Sequence, residues 1–381
     1  MSVFHANHAN HANQALHANH ANHANHANHA NGGPGLAPPA ALISQREGLV
    51  GLDGLTSEEL ERFDLGLLAE RGTPEQRLMR LDAGHRAMVV GHEIREGIGV
   101  EASRGGMRVT AADAPLLDIA RPSPRMLRDE LPIVMGYADL RSERGAEILD
   151  QRFDVISYVG ACLPIDPMRT PRTIEMLLAA QALTDGIVQT AKLHLGVHRP
   201  AEVHPAVQPM IATPTHGSYP SGHATQAFMC AKVLSVLAGR TGDDDPARIY
   251  MDRAAARVAQ NRTVAGLHYP ADSVAGAVFG RQLGLWLVAR LEAGEAPGKR
   301  TLGSDDWAAK GGPDFHSGTF PEFWTAMTEG EAPKAPSAPL ACALWKEARA
   351  EWDMPRAEGE ADPDRGARSG EETAARDEGS A

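Results

Sequence analysis

The sequence predicts an all-α fold, a helical bundle. Aromatic residues are only 5% of the 381, whereas Ala, Leu and Val are plentiful. That balance suits helices packed through small and aliphatic side chains better than a β-rich fold. The longest apolar runs, 174–191, 224–239 and 273–291, are of helix length. Nothing alternates with period two over several strands. A hydrophobic content of 43% is enough for a sizeable core.

Residues 5–31 are a tract of His-Ala-Asn triplets, interrupted once by Gln14-Ala15-Leu16, and hold eight of the 17 histidines. Such a composition buries no core and reads as disorder; capture of transition metals is the one chemistry it offers. With the Gly/Pro-rich linker that follows, it forms a segment over 1–40. A helical scaffold is expected over 41–160, with helices over 56–70, 73–90, 124–140 and 144–159. The Thr56-Ser57-Glu58-Glu59 run is a helix start. The charges of this half read as solvated faces, without chemistry. The core is expected over 161–295, with helices over 172–198, 221–238, 246–261 and 270–291.

A loop-rich extension over 296–352 carries Trp307, Phe315, Phe320, Phe323 and Trp324, which can pack as a lid on the bundle. A short helix over 340–352 closes it. Residues 351–381 hold ten acids and four bases, half of the formal net charge of −12. The tail over 353–381 is expected to be disordered, as is the N-terminal tract.

That charge, with no Lys/Arg-rich block, excludes nucleic acid as a partner, since gripping phosphate backbones needs clustered cations. Asp185, Lys232 and Arg281 interrupt the apolar runs, so no integral membrane segment is expected. The N-terminus shows no basic region followed by an apolar run, so a cytoplasmic location is expected. Cys162, Cys230 and Cys342 are far apart, without metal-ligand spacing, and fit a reducing compartment.

Three short motifs carry the chemistry. In Pro220-Ser221-Gly222-His223, a turn runs into a helix. Ser221 is a good N-cap, and Gly222 lets a backbone N–H approach a ligand. A helix N-terminus favours an anion, and His223 at that mouth can move a proton near neutral pH. Upstream, Lys192 and Arg199 lie seven residues apart, close to two helical turns, which predicts both cations on one helix face. Pro200 should end that helix. Downstream, Asn261-Arg262 precedes His268 and Asp272. The (i, i+4) spacing brings Asp272 to His268, and Pro270 fits a first helical turn.

This constellation resembles the type 2 phosphatidic-acid phosphatase (PAP2) and vanadium haloperoxidase superfamily, whose pattern is Lys-x6-Arg-Pro, Pro-Ser-Gly-His and Ser-Arg-x5-His-x3-Asp. The order and all three internal spacings match, and the one departure is Asn261 in place of Ser. The resemblance spans Lys192 to Asp272 and implies a helical bundle of the PAP2/haloperoxidase type. It implies that Lys192, Arg199, Arg262, Ser221 and the Gly222 N–H bind a vanadate or phosphate. His268 would ligate vanadium in a haloperoxidase or attack phosphorus in a phosphatase. Asp272 would orient His268, and His223 would serve as the acid and base. His216, five residues before Ser221, would tune halide or peroxide chemistry.

The preferred reading is a haloperoxidase using vanadate, halide and hydrogen peroxide. The alternative is a soluble acid phosphatase that hydrolyses phosphomonoesters without a cofactor. A non-catalytic oxyanion-binding module is the third. Relatives often dimerise, which leaves a homodimer open.

Overall fold

The computed structural model describes residues 72–312 and 314–353. The His-Ala-Asn tract, the linker, the helix expected over 56–70 and the acidic tail beyond 353 lie outside those residues. The described chain is mostly helical, with one small sheet.

Two helices open it, α1 (Pro74–Met79) and α2 (Ala83–Arg95), where one was expected over 73–90. Thr73 caps α1 in a reciprocal box with Gln76, and Asp82 caps α2 through the His85 N–H. The Asp82 cap starts a new helix inside the expected one.

The all-α expectation is corrected by a four-stranded sheet: β1 (Ile98–Ser103), β2 (Gly106–Ala111), β3 (Ala114–Ala120) and β4 (Arg300–Leu302). The first three strands form an antiparallel meander, and β4 joins β3 in parallel. The meander turns on Arg104-Gly105, where Gly105 takes positive φ, and on Ala112-Asp113, where both residues do. Two such residues in succession suit the tight turn that matches strand twist. Met107 and Val109 face the core while Arg108 pairs outward with Asp118, a period-two signal confined to three short strands.

After the meander come α3 (Pro124–Gly136), a 3-10 turn (Tyr137–Leu140), α4 (Arg141–Asp150) and the short α5 (Ile156–Val159). The core helices are α6 (Pro171–Leu195), a single turn α7 (Pro200–Val203), α8 (Gly222–Leu237), α9 (Pro246–Val264) and α10 (Pro270–Leu291). The extension adds α11 (Asp306–Lys310), α12 (Phe320–Ala326) and α13 (Pro339–Ala350).

Helix α8 is the axis of the bundle, packed chiefly against α10 and then α9 and α6. Two glycines set the α8–α10 distance. A Cβ on Gly276 would lie 2.5 Å from the Ser221 carbonyl oxygen, and one on Gly280 would fall on the Thr225 carbonyl. The helices therefore touch backbone to backbone where both begin. Phe228 of α8 meets Phe315 and Phe320 of the extension, with ring centroids 6.3 and 5.0 Å away. Trp307 completes the patch against Phe323 at 4.9 Å. No helix among the described residues is long and apolar enough to cross a membrane. Cys162, Cys230 and Cys342 are all free thiols.

Candidate active site

Four helix ends meet at one point. Lys192 lies in the last turn of α6 and Arg262 in the last turn of α9. Ser221 and His268 stand just before α8 and α10. Lys192, Arg199, Ser221, Arg262, His268 and Asp272 are all buried, whereas Gly222 and His223 are partly exposed and His216 is exposed.

One expectation is corrected here. Lys192 and Arg199 do not share a helix face. Gly196, at φ 55°, ends α6, and Arg199 sits in extended backbone as the residue before α7. Gly reaches that left-handed conformation at little cost, so the chain bends instead of adding another turn. Pro200 opens α7 and ends nothing. The bend still returns Arg199 to the site. Its guanidinium donates to the backbone oxygens of His216 (3.1 Å) and Leu267 (2.9 Å). It also lies 3.3 Å from His268 Nε2 and 3.2 Å from His216 Nδ1.

Lys192 Nζ donates to the carbonyls of Gly217 (2.9 Å) and Ser218 (2.7 Å). Both bonds pull the loop before α8 onto α6. Burial pushes the Lys192 ammonium down, with help from Arg199, while Asp272 opposes the shift. Arg262 is held from behind, by the Gln151 side chain (3.1 Å) and the Ile148 carbonyl (3.3 Å). Its Nε and second terminal nitrogen are buried and have no partner. Two unmet guanidinium donors in a dry site are costly unless an acceptor occupies it.

His268 and Asp272 form a buried pair, Nδ1 to Oδ2, at 2.8 Å. The same Oδ2 accepts from the Tyr269 N–H at 3.0 Å and from the Ser218 hydroxyl. An oxygen collecting donors assigns the His268 proton to Nδ1 and leaves Nε2 with its lone pair. Burial, and then the charges of Lys192, Arg199 and Arg262, push His268 well below the usual imidazole value. It is neutral at physiological pH and its Nε2 is a free base. Burial drives His223 down too, with Arg262 next. Asp272 is raised by burial, against the pull of Ser218 and Lys192.

Ser221 is turned inward. Its hydroxyl accepts from the Ala224 N–H at 3.4 Å, and its own N–H donates to the Asp272 carbonyl at 2.9 Å. The starts of α8 and α10 are thus stitched together. The Gly222 N–H is among the first-turn donors that a helix leaves without an internal acceptor.

Three residues of the site carry no sequence signal of their own. Ser218 lies inside the motif loop, yet its bond to Asp272 is visible only in the fold. Gln151 is remote in sequence, at the end of α4. It accepts from Asn261 Nδ2 at 3.0 Å as well as from Arg262. Asn261, the departure from the Ser pattern, also donates to Glu147 at 2.9 Å, so it ties α9 to α4. Glu130 of α3 is buried behind Asp272 and accepts from the Ala271 N–H at 3.1 Å. The scaffold half, read as without chemistry, therefore supports the site directly through Gln151, Glu147 and Glu130.

Three cations and two imidazoles are thus gathered where helix ends converge, among them two helix N-termini, whose unpaired N–H groups favour negative charge. The PAP2 superfamily model matches residues 174–293, which take in every one of these motif residues. This segment belongs to the PAP2 superfamily. Within the curated proteins, the chain is similar to the vanadium-dependent bromoperoxidase of Ascophyllum nodosum, at 35% identity over 94 residues. That match covers 19% of this chain and 17% of the relative, so the chain spans less than a fifth of that protein's length. Among solved structures, a bacterial vanadium-dependent iodoperoxidase aligns at 20% identity with a TM-score of 0.33. The alignment covers 43% of this chain and 48% of that one.

Proposed function

We propose that the chain is a vanadium-dependent haloperoxidase, which converts halide, hydrogen peroxide and a proton to hypohalous acid and water. The observation that carries the oxyanion reading is the pair of partnerless Arg262 donors beside Lys192, Arg199 and His268. His216 beside Arg199 and the similarity to the bromoperoxidase favour the peroxidase branch.

The donor set fits vanadate. No group of three His, Cys, Asp or Glu that could hold a metal ion stands among the described residues. The anion would be held by charge-assisted hydrogen bonds from Lys192, Arg199, Arg262 and the Gly222 N–H, with His268 Nε2 as the one protein ligand. Bound vanadate supplies a Lewis-acidic centre that activates peroxide toward halide. Asp272 fixes the Nδ1–H tautomer and so keeps Nε2 a donor of electrons. His223, at the exposed mouth, takes up and returns the proton that peroxide and water exchange. Burial and then the Arg262 charge depress its basicity, and an anion arriving beside it opposes that shift. His216 stands on the rim, where halide would approach.

The second reading is phosphomonoester hydrolysis, favoured by the neutral, Asp272-oriented His268. Nε2 would attack phosphorus as the P–O ester bond breaks, with His223 protonating the leaving oxygen. His223 would then take a proton from water, which attacks the phosphohistidine and frees phosphate.

Paired assays separate the two. A phosphate-free preparation, with and without orthovanadate, is tested for peroxide-dependent bromination and for p-nitrophenyl phosphate hydrolysis. Bromination that needs vanadate, with negligible hydrolysis, is expected. Fast hydrolysis that vanadate inhibits would make the chain a phosphatase instead.

A further inference from the structure

Away from the oxyanion site, a cavity of about 800 Å³ opens between α8, α9 and α10 beneath the loop that leads into α12. Its walls mix two chemistries. Phe228, Ile249, Phe320 and Pro321 give an apolar, partly aromatic side. Arg248, Arg253, Arg281 and two acids, Asp243 and Asp252, give a charged side.

The acids are already answered. Arg248 bridges to Asp243 at 3.1 Å and to Asp252 at 3.5 Å. Arg281 makes no hydrogen bond or close ion pair; Asp252 is the acid whose charge acts on it most, and its guanidinium lies 5.1 Å from the centroid of the Trp324 ring. Arg300 lies over the same ring at 4.9 Å. Arg253, on the exposed rim, is likewise unpaired. The lining thus holds three arginines against two acids, a surplus of one cation beside an apolar wall. Unpaired, partly buried cations are retained against their desolvation cost where an anion meets them.

We propose that this cavity is a second ligand site, taking an organic anion with an aromatic body. The carboxylate or other acidic group would bind Arg281 and Arg253, and the rings would lie against Phe228 and Phe320. The volume suits a body of one to three rings, within the range of small-molecule sites. Nothing in this reading depends on which reaction the oxyanion site performs.

The test uses the full chain and 1-naphthoate, titrated by calorimetry. Saturable one-to-one binding is expected, weakened about 10-fold or more by Arg281→Gln, as loss of a charged hydrogen-bond donor does. Arg281→Lys keeps the charge and should recover part of that loss. Arg253→Gln, at an exposed position that leaves folding intact, should weaken binding several-fold on its own. Lys192→Gln should change nothing, which separates this cavity from the oxyanion site. Absence of binding would overturn the proposal. So would equal affinity in the Arg281→Gln and Arg253→Gln proteins, or loss of binding in Lys192→Gln.

Discussion

The neutral amide of Gln151 is what leaves Arg262 a full cation. A carboxylate in its place would pair with the guanidinium and compete with the oxyanion. Gln151→Glu is therefore expected to weaken binding of phosphate or vanadate by about 10-fold while the melting temperature of the anion-free protein holds. A dissociation constant for these anions unchanged from wild type would refute this positioning role. Glu130 gives a second test. Burial raises its carboxyl to about 9, above the ordinary 4.5 of the unfolded chain. The folded state thus binds a proton that the unfolded state has lost between about pH 4.5 and 9. In that window this group makes stability fall as pH rises, by up to about 1.4 kcal/mol per pH unit. Glu130→Gln keeps the bulk and cannot ionise, so its stability should fall less steeply than wild type between pH 5 and 8. Parallel pH curves from urea unfolding would rule the account out.

The motif residues were legible because their chemistry is local. A cap, a Gly and a His in sequence announce an anion-binding helix start, and His268 finds Asp272 four residues on. Gln151 and Glu130 were not legible, since an amide or acid on an amphipathic helix looks the same whether it faces water or another helix.

Helix limits followed the same division. Helix α10 runs from Pro270 to Leu291 as expected, because Pro marks its start and small residues fill it. The bend at Gly196 and the sheet were missed. A single Gly is weak punctuation, and three strands of six or seven residues give too short an alternation to stand out. Gly280 shows what an element demands of one residue. A methyl group there meets the Thr225 backbone, which cannot yield as a side chain can. Gly280→Ala should cost about 1–3 kcal/mol of stability in spite of Ala's better helix propensity. A melting temperature equal to or above wild type would show that α8 and α10 can part freely.

For the molecule as a whole, three buried cations at one point oppose folding until something answers them. Lys192, Arg199 and Arg262 are each nearly inaccessible to water. A bound oxyanion should therefore raise the melting temperature in proportion to the logarithm of its concentration. The gain is about 2.7 kcal/mol at a hundredfold excess over Kd. Dialysis into a phosphate-free buffer should reverse it. A melting curve insensitive to phosphate, vanadate and sulfate alike would mean that the pocket does not take these anions. The extension contributes separately, through the Phe228, Phe315 and Phe320 cluster, so stability changes there should be additive with those at the site.

The polarity of the four helices sorts the residues they bring together. The two that finish at the site, α6 and α9, carry two of its three cations, Lys192 and Arg262, beside their own carbonyl ends. The two that begin there, α8 and α10, carry its imidazoles beside their amide ends. A backbone carbonyl terminus holds about half a negative charge and an amide terminus half a positive one. Each of those two cations is thus housed by the helix that carries it, and each histidine is kept uncharged in the same way. Exchanging a lysine for a histidine between these positions would set side chain against backbone at both ends, even with every distance preserved.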